Sequence, residues 1–100
     1  MTYRRFVIEP YPDPDTTLAL IGSLFRNKAD DVTVLYRKKE ELAYLTDWIA
    51  HDMPEALESG RLHFKPVKDH KYDPTKETKL EPKRVPDYKT LDSLLAKKTR

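Results

Sequence analysis

Apolar positions along the chain change period several times, and each change marks an element. Residues 3–9 form a run centred on Phe6, Val7 and Ile8, aromatic and β-branched, which predicts a strand. Residues 11–15 read Tyr-Pro-Asp-Pro-Asp, a turn that leads into a helix. Asp13 suits the N-cap, Pro14 the first helical position and Asp15 the first turn. Leu18, Ile21 and Phe25 then recur at helical spacing, and Leu20 and Leu24 widen the stripe. Gly22 weakens this helix and predicts close packing at that point. Val32, Val34 and Tyr36 alternate with Thr33, Leu35 and Arg37, a strand signal. Residues 38–53 return to helical spacing through Leu42, Leu45, Trp48, Ile49 and Met53, which places Trp48 in the core. Asp52 and Glu55 about Pro54 predict a helix restart capped by Asp52, and Gly60 its end. Leu62 and Phe64 alternate with Arg61, His63 and Lys65 in a third strand, which Pro66 ends or confines to an edge.

The expected fold class is therefore α/β, a small β-α-β-α-β body with a three-stranded, mainly parallel sheet. Strands buried on both faces read as continuous apolar runs. The second and third alternate instead, so the helices are expected mainly on one face. The other face would show Tyr3 or Arg5, Val7, Thr33, Leu35, His63 and Lys65, depending on register. A body this small buries only ~60% of its surface, so a cover over that face or an edge is expected, the alternative being a face that is simply solvated. The tail, a second copy in a homo-oligomer, or a partner protein would each supply that cover.

Composition separates this body from the rest of the chain. Of the 38 hydrophobic residues, 29 lie in residues 1–66 and 9 in residues 67–100. The first part has 9 Lys+Arg against 11 Asp+Glu, a net of −2; the second has 10 against 6, a net of +4. Residues 67–89 have sparse, aperiodic apolar positions and contain Pro74, Pro82 and Pro86, so an extended or disordered linker is expected there. Residues 90–99 predict a short amphipathic helix. Thr90 suits its N-cap, Asp92 its first turn, Lys97 and Lys98 its last, and Leu91, Leu94 and Leu95 form one stripe. Two turns do not hold in water alone, so the stripe requires a groove.

Little chemistry is visible. With no cysteine, disulfides, thiolate metal sites and cysteine nucleophiles are excluded. No apolar run approaches the ~18 residues of a membrane span, and no secretory signal is evident, so no membrane partner and a cytoplasmic location are expected. The loop after the first strand has three prolines, three carboxylates and no glycine, which disfavours a phosphate cradle. Glu9, Asp13 and Asp15 there give a distant third reading, a Mg²⁺-dependent enzyme, although helix capping explains two of them more simply. His51, His63 and His70 show no metal-ligand spacing, and no serine has a defensible His and acid arrangement. No enzyme, cofactor or metal site is expected.

The leading expectation is a non-enzymatic protein–protein interaction module, such as a small inhibitor, adaptor or accessory subunit. It would dock through its body and wrap a partner with its tail, using Tyr72, Tyr88, Leu91, Leu94 and Leu95. The alternative is a nucleic-acid-binding accessory protein, with Lys68, Lys71, Lys76, Lys79, Lys83 and Arg84 as phosphate contacts. Interleaved Asp69, Asp73, Glu77, Glu81 and Asp87 dilute that arm.

Overall fold

The structure is a computed structural model and describes residues 4–82. The elements run β1 (Arg5–Ile8), α1 (Pro14–Arg26), β2 (Asp31–Tyr36), α2 (Lys39–Asp52), α3 (Pro54–Glu58), β3 (Leu62–Pro66), a 3-10 turn (Val67–Asp69) and β4 (Thr78–Leu80). All strand pairs are parallel, and the sheet order is β3-β2-β1-β4. The expected α/β class, parallel sheet and β-α-β-α-β order are present. The expected count of three strands is corrected to four, because Thr78, Lys79 and Leu80 pair with Phe6, Val7 and Ile8 of β1.

Local sequence explains most element ends. Asp13 caps α1, its Oδ1 accepting the Asp15 amide at 3.0 Å, with Pro14 next in the helix. The buried stripe of α1 centres on Thr17, Leu20, Ile21 and Leu24, while Leu18 and Phe25 are half-buried beside it. The helix restart at Pro54 is present, but Met53 stands at the cap position without a side-chain hydrogen bond, so Asp52 does not cap it. Gly60 follows α3 at φ 75, a left-handed conformation that favours glycine.

Leu20, Ile21, Leu24, Leu45, Ile49 and Ala56 of the helices form one core with Phe6, Ile8, Val32, Val34, Leu62 and Leu80 of the strands. All three helices therefore cover one face of the sheet, as the alternating strands predict. Alternation sends Arg5, Val7, Thr33, Leu35, His63, Lys65 and Lys79 to the other face, yet Val7 and Leu35 are buried too.

The cover is the chain itself. Residues 67–77 link β3 at one edge to β4 at the other. Three strand spacings and one strand length separate those ends by roughly 20 Å, and eleven extended residues reach about 36 Å. The steps from β1 to β2 to β3 all go one way. The step to β4 goes back, so a crossover of the same hand passes over the opposite face. His70 and Glu77 accordingly stand across a small cavity from Thr33 and His63.

Hydrogen bonds order this strap. His70 Nε2 lies 3.2 Å from Glu77 Oε2, and the His70 side chain is only 7% exposed. Asp73 Oδ1 accepts the Thr75 amide at 3.0 Å and the Thr75 hydroxyl at 2.6 Å, which holds the Asp73 carboxyl below its ordinary range. The Lys76 and Glu77 amides close the turn on the Asp73 carbonyl. Lys79 Nζ then ties β4 to β1, 3.0 Å from Glu9 and 3.5 Å from Glu81. The Glu9 contact is the main cause that raises the Lys79 pKa.

Two outcomes are expected. A Cβ built on Gly22 would meet Arg26 Nη1 at 3.7 Å and Met53 Cε at 3.8 Å, ordinary contacts rather than the close packing read from sequence. Gly22→Ala should therefore raise unfolding free energy by about 1 kcal/mol in urea titration. Lys79 has a folded pKa above its ordinary 10.5, so its stabilisation is present below that pH and is lost as pH rises through the raised value. The urea midpoint should fall less steeply above pH 10.5 in Lys79→Met than in the wild type.

Candidate functional site

The residues that the sequence marks as candidates separate in the structure. Tyr72 is half in solvent, but its hydroxyl donates to the Glu77 carbonyl at 3.2 Å and Lys79 Nζ lies 5.2 Å from its ring centre. Lys68, Lys71 and Lys76 are exposed on the strap, whereas Lys79 is held by two carboxylates. Lys83, Arg84, Tyr88, Leu91, Leu94 and Leu95 lie outside the described residues, as does the helix expected at 90–99.

The carboxylates after β1 do not converge. Glu9 pairs with Lys79, Asp13 caps α1, and Asp15 Oδ1 accepts the Tyr44 hydroxyl at 2.9 Å. Among the described residues, no group of three or more His, Asp or Glu side chains is placed to hold a metal ion. No helix among them is long and apolar enough to cross a membrane.

Among the described residues, two cavities bear on chemistry. The one beneath the strap has about 220 Å³ and is lined by Arg5, Phe6, Asp31, Thr33, His63, Lys65, His70 and Glu77. It holds two histidine–carboxylate pairs, His70 with Glu77 and His63 with Asp31, the latter at 3.0 Å. Its volume falls below the ~300 Å³ at which small-molecule sites begin. Glu77 also accepts the Asp73 amide at 3.4 Å, so this pair serves to clasp the two ends of the strap. The other cavity, about 410 Å³, opens between α1, α3 and the start of β3. Arg61 occupies its wall, stacked 5.0 Å over the Phe25 ring and donating to the Ala29 carbonyl at 3.1 Å, which is a structural use of that side chain.

A third feature departs from the expectation set by the sequence. On α2, Leu45 and Ile49 are buried, while Tyr44 and Trp48 are 38% and 43% exposed. The stripe that places Trp48 in the core is thus corrected: Trp48 follows Tyr44 by four residues on the outer flank of the helix. His51 continues the row. The Tyr44 and Trp48 ring centres are 6.3 Å apart and those of Trp48 and His51 6.1 Å, the second pair edge to face. Asp15 anchors Tyr44 from α1 and holds its phenol above the ordinary pKa. The spacing Tyr44, Trp48, His51 is i, i+4, i+7 and is present in the sequence. It is masked there because Trp48 also adjoins Ile49, and the two rows overlap.

Along α2 and α3 the charge is mostly acidic, with Arg37 and Lys38 just before them. Residues 39–58 contain one lysine against six carboxylates, Glu40, Glu41, Asp47, Asp52, Glu55 and Glu58, a net of −5. An outward row of rings on a mostly acidic pair of helices suits a basic, partly apolar partner. It repels phosphate.

Replacing the two neighbours should separate surface from core. Ile49→Ala should cost about 3 kcal/mol in urea unfolding, and Trp48→Ala about 1 kcal/mol.

No protein-family model, curated protein or solved structure matches this chain.

Proposed function

We propose that the protein is a non-enzymatic interaction module, of the kind that serves as a small inhibitor, adaptor or accessory subunit. It docks on a partner protein through the Tyr44, Trp48 and His51 row, and the basic tail adds contacts with Tyr88, Leu91, Leu94 and Leu95. The observation that carries this reading is the exposure of Trp48, the only tryptophan of the chain, within an ordered aromatic row. Tryptophan and tyrosine dominate the few positions that supply most binding energy at interfaces. Tyr44 is already fixed by Asp15, so little side-chain freedom is lost there on binding. Val7 and Leu35 are already buried on the far face of the sheet, which supports the helical side as the docking surface.

Exposed Lys68, Lys71 and Lys76 keep a second reading, a nucleic-acid contact along the tail. The two readings differ in their dependence on salt and on Trp48. Quantitative pull-down with the full chain should recover specific proteins whose yield falls at least about tenfold with Trp48→Ala. Their recovery should persist at 0.5 M salt. Unchanged recovery with Trp48→Ala contradicts the docking row. Binding to nucleic acid that vanishes with rising salt and ignores Trp48 supports the second reading.

A further inference from the structure

The charge excess of the tail lies in one part of it. Residues 67–82 hold four lysines against four carboxylates and are neutral, so the strap and β4 carry none of the net charge. Residues 83–100 hold six Lys+Arg against Asp87 and Asp92, a net of +4. That segment also contains the Leu91, Leu94 and Leu95 stripe. The helical surface bearing Tyr44 and Trp48 has the complementary properties, a net of −5 over residues 39–58 and exposed rings.

We propose that in the free protein residues 83–100 fold back onto the α2 surface, seating Leu91, Leu94 and Leu95 against Tyr44 and Trp48. This rests on the reading of that row as a docking surface and adds its regulation: an intramolecular occupant that an incoming partner must displace. Charge and apolar pattern both select the occupant. Reach permits it, since β4 ends beside Ile8, at the end of the sheet where α1 starts and Asp15 meets Tyr44, and the nine residues from Pro82 to Leu91 extend about 30 Å. Tethering makes a weak contact sufficient, because a segment on a short flexible linker faces its site at about millimolar effective concentration. A two-turn helix gains its stability only against such a surface. Lys97 and Lys98, beyond the stripe, meet the carboxylates that flank the row.

The lone tryptophan reports the contact. Acrylamide quenching of Trp48 is measured in the full chain, in Leu94→Asp/Leu95→Asp, and in Lys97→Glu/Lys98→Glu. Both variants alter residues outside the described fold. The quenching constant should rise about twofold in each variant, with a red shift of emission, and 1 M salt should move the wild type the same way. Equal quenching in all three proteins overturns the proposal. Protection of Trp48 that grows with protein concentration, together with dimer formation, also overturns it in favour of a second copy as occupant. The docking reading fails separately: it falls if Trp48→Ala leaves partner recovery unchanged, whatever the quenching shows.

Discussion

A parallel sheet is stable only with both faces covered, and the helices of this chain cover one. The second cover is a strap of eleven residues held by polar contacts, with the His70–Glu77 pair across its ends and a turn wound on Asp73. The rest of the structure depends on it. It delivers β4 to the free edge of β1, so β1 becomes an inner strand and Val7 is buried although it faces away from the helices. The continuous Phe6-Val7-Ile8 run then makes sense, because an inner strand with two covered faces has no solvent side to keep polar. The polar positions of β2 and β3 on that face stay partly in solvent, where Asp31 and His63 pair with each other.

The same constraint redistributes the surfaces left for function. With the strap on one side, only the helical layer offers exposed rings in a row among the described residues. There α2 must bury Leu45 and Ile49, and that choice turns Tyr44, Trp48 and His51 outward. Asp15 and Asp13 start α1 beside this row, so one pair of residues caps a helix and fixes the edge of the docking surface. Acidic charge gathers on α2 and α3, and basic charge beyond β4.

Most of the fold is legible in the sequence, for local reasons. The Asp13-Pro14 start of α1, the alternation of β2 and β3 and the Pro54 restart are decided within a few residues. β4 is not legible. Thr78-Lys79-Leu80 has one apolar residue and stands among charges, and its strand character comes from the β1 edge and from Glu9 beside Lys79. Position along the chain hides the strap as well, since a segment with few apolar residues reads as unable to fold alone. Its contacts are with the β1 edge and within the strap. The position of Trp48 escapes the sequence for a different reason. A helix with two adjoining apolar rows leaves open which row turns inward, and only packing against β2 and α1 decides it.

Residue-resolved hydrogen exchange on the full chain tests the role of the strap most directly. Slow exchange is predicted for the Glu9 and Glu77 amides, which bond to Leu80 and Asp73, alongside the amides of β1 and β2. Exchange of the amides across residues 70–80 at unfolded-chain rates, with β2 still protected, would contradict it. That result would leave one face of the sheet open as a docking surface.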